Sequence, residues 1–133
     1  AAYGAVTAEI AYEEARSYVK ERTAFGKTLS CFQVTRHKLA DMGTQVLAAK
    51  NIVYQVASRM DAGQEVVAEV SMAKNFTSDV ALAVCHDAVQ LFGGMGYMRE
   101  TLVERLSRDA RVLPIGGGTQ EVMKEIISKR VGY

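Results

Sequence analysis

The stretch from Arg108 to Glu121, RDARVLPIGGGTQE, holds the residues best suited to meet a ligand through the backbone. Gly116, Gly117 and Gly118 carry no side chains, so their amides can approach a bound group closely, and Thr119 opens a helix-forming run. A helix beginning there has unpaired amides in its first turn and the positive end of its dipole facing the loop, which suits an anion or a polarised oxygen. None of the three glycines supplies a carboxylate, so the segment reads as a binding surface without a base of its own. Read in isolation, the same residues also make a plain loop with a Thr N-cap. Two other segments set glycine among arginine, phenylalanine and glutamine: RTAFGKTLSCFQ, from Arg22 to Gln33, and QLFGGMGY, from Gln90 to Tyr97.

The remaining chemistry-bearing residues are scattered. Cys31 and Cys85 match no metal-ligand spacing and read as reduced thiols of an intracellular protein. His37 and His86 have no metal partner nearby in sequence and read as helix residues facing solvent or satisfied in a core. With 133 residues, 49% of them hydrophobic, the chain fits one packed domain, residues 1–133. A net charge of +1 with acids and bases interspersed gives no electrostatic case for nucleic acid, and no apolar run is long enough for a membrane span. The opening AAYGAVTAEI starts inside an amphipathic pattern with no cap, so the chain reads as a piece of something longer.

Helices must position the three loops. Pro114 is the only proline, and Ala, Val, Leu, Met, Glu and Lys dominate, which predicts an all-α chain. Val6, Ile10 and neighbouring alanines give a first helix to about Lys20, with Gly26 breaking the loop that follows. From Gln33, a stripe through Leu39, Met42, Val46, Ala49, Val53, Val56 and Met60 predicts a long helix ended by Asp61-Ala62-Gly63. A second stripe through Val66, Val70, Ala73, Thr77, Val80, Val84, Ala88 and Leu91 runs until Gly93-Gly94. A short helix near Thr101 to Leu106 and a last one from Thr119 to about Arg130 complete an up-and-down helical bundle, whose two longest helices pack antiparallel across a short loop.

The three Gly-bearing loops, in this order and spacing, resemble the C-terminal helical domain of the acyl-CoA dehydrogenase family over essentially the whole chain. The resemblance implies a flavoprotein of fatty-acid metabolism that binds FAD and oxidises acyl-CoA to trans-2-enoyl-CoA. It also implies assembly as a homo-oligomer, dimer or tetramer, and delivery of electrons to electron-transfer flavoprotein or a similar acceptor. The location implied is the bacterial cytoplasm or the mitochondrial matrix. By the same resemblance, Arg22 reaches the FAD of a neighbouring subunit, where a guanidinium fork suits pyrophosphate oxygens. Phe25 and Gln33 match positions near the adenosine part of that cofactor. Gln90, Gly93 and Gly94, with Phe92, match the loop that approaches FAD across the subunit interface, while Thr119 and Glu121 match contacts to the flavin of the same subunit. The run Arg108-Asp109-Ala110-Arg111 is implied to be structural, its charges bracketing a turn.

One departure from the family pattern bears on the chemistry. Many members carry the catalytic glutamate in a Tyr-Glu-Gly-Thr context, and here Gly116, Gly117, Gly118 and Thr119 stand in that place. Gly117 cannot abstract a proton, although its amide can still donate to a thioester oxygen. The pattern resembles the branch that includes long-chain and isovaleryl-CoA dehydrogenases, whose base lies about seven helical turns before the arginine matched by Arg22. That position precedes Ala1, so the chain alone is expected to be inactive. Glu9, Glu13 and Glu14 lie closer to Arg22 and read as face charges. Gly116 in place of tyrosine removes bulk from the pocket wall, which would admit long or branched acyl chains. The alternatives are an acyl-CoA oxidase or related flavoprotein, or a helical oligomerisation module in which the loops are mere turns.

Overall fold

The computed structural model describes residues 1–133. Three long helices, α1 (Ala2–Glu21), α2 (Gln33–Asp61) and α3 (Val67–Phe92), are followed by the shorter α4 (Leu102–Ala110) and α5 (Gln120–Val131). Residue pairs across the helices give their directions. Arg59 with Glu69 near the connecting loop and Lys38 with Asp87 at the far ends make α2 and α3 antiparallel. Glu9 with Lys50 and Tyr12 beside Gly43 set α1 antiparallel to α2, whereas Gly4 beside Thr77 and Tyr18 beside Phe92 set α1 parallel to α3. The long helices therefore alternate up, down and up, and α3 lies at the centre, packed by each of the other four.

The sequence explains this closeness. On α1 the inward positions are small: Gly4, Ala5, Ala8, Ala11 and Ala15 are all buried, with Val19 completing the face. α3 answers with Ala73, Thr77, Ala81 and Ala88, so the two backbones approach until a Cβ on Gly4 would lie 2.8 Å from the Thr77 carbonyl oxygen. Larger side chains, Met42, Val46, Val80, Val84 and Val103, fill the main core where α2 and α4 meet this pair. The three long helices are thereby held chiefly by their buried stripes rather than by intrinsic propensity, whereas α5 buries no residue fully.

Several expectations are corrected. The loop after α1 is a small hairpin: β1 (Thr23–Ala24) pairs antiparallel with β2 (Lys27–Thr28), in the register Thr23 to Thr28 and Ala24 to Lys27. Its two-residue turn puts Phe25 at φ 52° and Gly26 at φ 79°, the left-handed pair that matches the twist of a tight hairpin. The stripes also overrun the core. Met60 and Val70 are exposed, at 53% and 36%, because the end of α2 and the start of α3 border an open groove rather than a packed neighbour. Finally, α4 continues to Ala110, so Arg108, Asp109 and Ala110 lie on a helix and not at a turn. Arg108 grips Glu104 one helical turn back, through bonds of 2.6 and 3.0 Å, and Ala110 is buried.

Both cysteines are free, Cys31 exposed and Cys85 buried in α3. Burial pushes the Cys85 thiol from 9.0 up to about 12. The folded chain thus keeps a proton that the unfolded chain releases, so this group's contribution to stability is intact below pH 9 and is lost as the pH rises toward 12. At pH 8, iodoacetamide should modify Cys31 and spare Cys85 until denaturant is added; mass mapping that finds both labelled at equal rates in the native protein would refute this packing.

Candidate functional site

The three loops gather at the two ends of α1. At its C-terminal end, Arg22 shares a cleft of about 600 Å³ with Tyr18, Leu29, Leu91, Phe92, Gly93, Gly94, Met95 and Met98. Tyr18 builds the wall: its ring stacks on Phe92 with centroids 4.0 Å apart, and its hydroxyl donates to the Phe92 carbonyl at 3.4 Å. Phe92 is therefore engaged in packing, and it is the backbone of Gly93 and Gly94 that faces outward. A Cβ at either glycine would meet nothing within 4 Å, and Gly93 ends α3 at φ 60°. The Arg22 guanidinium belongs to no ion pair, which leaves its donors free for an anionic group.

The hairpin tip beside this cleft is almost fully exposed. Phe25, at 95% exposure, meets Phe32 edge-on with centroids 6.3 Å apart, and Lys27 Nζ sits 4.4 Å above the Phe32 ring. Gln33, exposed at the start of α2, contacts the His37 ring at 3.4 Å, and Gln90 is exposed near the end of α3. Arg22, Gly93 and Gly94 thus come together in one cleft, while Phe25, Gln33 and Gln90 lie on exposed surface of the neighbouring elements.

The other end of α1 meets the glycine loop. Ala1, Tyr3 and Gly4 line a cavity of about 430 Å³ with Lys74, Thr77, Ser78, Val112, Leu113, Gly116 and Gly117. Gly117 and Gly118 take φ of 67° and 102°, conformations that L side chains rarely adopt. The amides of Ile115 and Gly116 bond back to the Val112 carbonyl and that of Gln120 to the Pro114 carbonyl, but those of Gly117, Gly118 and Thr119 have no protein acceptor. Three successive amides are left for a ligand. Thr119 is the N-cap of α5, its hydroxyl accepting from the Val122 amide at 3.4 Å. The Glu121 carboxyl in the first turn is held below the usual carboxylate range, chiefly by its own backbone amide and the Thr119 hydroxyl, with Lys124 and Lys74 adding to the effect.

Sequence reasoning missed the residues of α3 that hold this loop. Lys74 Nζ donates to the Gly118 carbonyl at 2.5 Å, Asn75 Nδ2 to the Gln120 carbonyl at 3.2 Å, and Gln120 Nε2 in turn to Asp79 Oδ1 at 2.5 Å. Asn75 makes that contact although its Oδ1 is left buried without a partner. One signal was present: Lys74 falls beside the buried face formed by Ala73, Thr77 and Ser78, an uncommon place for a lysine with no role. The carboxylates of α1 are accounted for differently. Glu9 is paired with Lys50 at 2.5 Å and Glu13 with Arg16 at 2.9 Å, while Glu14 is exposed. No helix is long and apolar enough to cross a membrane.

A bundle of this order, with an arginine and a diglycine in one cleft and free glycine amides in another, defines a class. The acyl-CoA dehydrogenase C-terminal domain profile matches residues 1–132, and the chain belongs to that family. An acyl-CoA dehydrogenase of Bacillus subtilis (strain 168) is 47% identical over 122 residues, 92% of this chain and 32% of that protein. A subunit of the caffeyl-CoA reductase-Etf complex of Acetobacterium woodii is 45% identical over 121 residues, 91% of this chain and 32% of that protein. Among solved structures, a probable acyl CoA dehydrogenase from Mycobacterium abscessus superposes with a TM-score of 0.95 at 50% identity, covering 97% of this chain and 34% of that one. The chain thus spans about a third of the length of the relatives it matches.

Proposed function

We propose that the chain is the C-terminal, FAD-binding and oligomerisation domain of an enzyme that oxidises acyl-CoA thioesters to trans-2-enoyl-CoA. The observation that carries this reading is the arrangement of the two clefts on one helix: Arg22 with Gly93-Gly94 at one end of α1, and the unpaired Gly117 amide at the other. The donor sets fit a flavin dinucleotide. Arg22 would hold the pyrophosphate of a neighbouring subunit's cofactor, the bare backbone of Gly93 and Gly94 would let it approach, and Phe25, Gln33 and Gln90 would add contacts from the surface around it. Thr119 and Glu121 would contact the flavin of the same subunit. The bound flavin supplies the chemistry of accepting a hydride from the substrate β-carbon.

The chain's own part is to orient the thioester. As the α-proton leaves and the carbonyl gains enolate character, the Gly117 amide donates to its oxygen, a contact of the kind worth about 10²–10³ in rate. The residues that line this cavity include no carboxylate, so the base is supplied by a residue beyond them. Ala1 and Gly117 line the same cavity, so a carboxylate placed in it would stand beside the amide that holds the carbonyl. Electrons pass onward to electron-transfer flavoprotein or a similar acceptor, in the bacterial cytoplasm or the mitochondrial matrix, and the subunits assemble as dimers or tetramers.

The test is anaerobic mixing of the complete purified protein with a series of acyl-CoA substrates. Loss of flavin absorbance together with formation of trans-2-enoyl-CoA is the expected result; a protein that carries no flavin, or keeps its absorbance unchanged across the series, overturns the reading. Reoxidation by oxygen with stoichiometric hydrogen peroxide would assign it to the oxidases instead.

A further inference from the structure

We propose that Lys74 is a positioning residue for the glycine loop: by holding the Gly118 carbonyl against α3 it fixes the direction in which the loop's free amides point. This rests on the reading above, in which the Gly117 amide receives the thioester. Between Pro114 and Gln120 the loop is anchored at its ends, where the Gln120 amide bonds to the Pro114 carbonyl and Asn75 holds the Gln120 carbonyl. Through the glycines themselves, the Lys74 bond of 2.5 Å to the Gly118 carbonyl is the one tether to another element.

Peptide geometry converts that single bond into an orientation. The trans peptide is planar, so turning the Gly118 carbonyl toward α3 turns the Thr119 N–H the opposite way and pins the end of the loop that carries the Gly117 amide. Gly117 and Gly118 have no side chains that could resist a peptide flip, and with φ of 67° and 102° they occupy a region that glycine leaves readily. An external donor must do what side chains cannot. Lysine suits the task because its ammonium makes a charge-assisted bond to the carbonyl from a position that lines the same cavity as the buried Thr77 and Ser78. Its side chain also borders the cavity that Gly116, Gly117 and Ala1 share, so the tether acts at the wall of the site.

The complete protein, as wild type, Lys74→Met and Lys74→Arg, provides the test. In Lys74→Met, exchange of the Ile115, Gly116 and Gln120 amides, the ones hydrogen-bonded within this segment, should accelerate about tenfold or more while the buried face of α3 exchanges as in wild type, and bound FAD should remain stoichiometric. With acyl-CoA, kcat should fall about 10- to 100-fold with KM changed less than about threefold, since misplacement of the donor by about an ångström acts on the transition state. Lys74→Arg keeps a cationic donor and should recover most of both readouts. Unchanged exchange and kcat in Lys74→Met would overturn the proposal, and so would loss of FAD or of global stability, which would make Lys74 merely structural. If wild type oxidises no acyl-CoA, the functional reading falls, while the exchange measurement still decides whether Lys74 holds the loop.

Discussion

Arg22→Ala in the complete protein is expected to purify largely without flavin. The Arg22 side chain lines the cleft with Gly93 and Gly94 and belongs to no ion pair within the chain, so on the proposed reading its guanidinium is free to hold the cofactor. Truncating one member of a hydrogen-bonded charge pair costs about 2–5 kcal/mol, or roughly 30- to several-thousand-fold in dissociation constant. Arg22→Lys keeps the charge but loses the planar fork, and should fall between the two. The check is the flavin-to-protein absorbance ratio after gel filtration, followed by titration of the apoprotein with FAD. The fold should survive, because the hairpin is held by its backbone pairing and by the bond from the Leu29 amide to the Arg22 carbonyl. Full flavin content in Arg22→Ala would favour the alternative of an oligomerisation module without chemistry.

The second large effect concerns stability. Gly96 is buried where the chain leaves α3 by a 3₁₀ turn, Gly93–Tyr97. A Cβ there would press well inside contact distance of the Val89 carbonyl oxygen and reach 2.9 Å from Phe92 Cβ and 3.0 Å from Val89 Cα. Neither backbone nor Cβ can swing aside as a flexible side chain would. Gly96→Ala should therefore cost about 2–4 kcal/mol, in the upper range of overpacking, and lower Tm by roughly 10 °C. Because Gly93 and Gly94 sit on the same turn, the strain should weaken flavin binding as well. Gly94→Ala, with open space around its Cβ, serves as the comparison: thermal unfolding close to wild type there, against a clear drop for Gly96→Ala, is the expected pattern. Equal melting of the two would remove the steric argument.

What the sequence made legible, and what it did not, follows from the range of the interactions involved. The long helices could be read because their stripes repeat over many turns and their ends carry Gly63 and Gly93, both at positive φ. The hairpin could not, since two residues per strand leave no periodicity and Phe25 at φ 52° departs from the ordinary preference of its residue type. Met60 and Val70 continue their stripes faithfully, but periodicity reports a face without saying how far along the helix a neighbour still covers it. At the glycine loop, the unpaired amides were readable from residue type and the Thr119 cap. The bond from Lys74 was not, because it joins residues 44 apart in the chain and depends on how α3 passes the loop.

The small-residue contact between α1 and α3 has a consequence for how the gene can vary. With glycine and alanine along the seam, α1 lies directly against the α3 backbone, so little side-chain padding can absorb a change in registration. The spacing between the cleft at Arg22 and the cavity at Ala1 is then counted in residues, like marks on a ruler. One deletion within α1 would draw the two ends together by about 1.5 Å and rotate one against the other by about 100°. Outward residues such as Glu14 and Ser17 are free to drift in identity, but the number of residues between the two clefts is not: this helix should accept substitutions in evolution while rejecting every insertion and deletion.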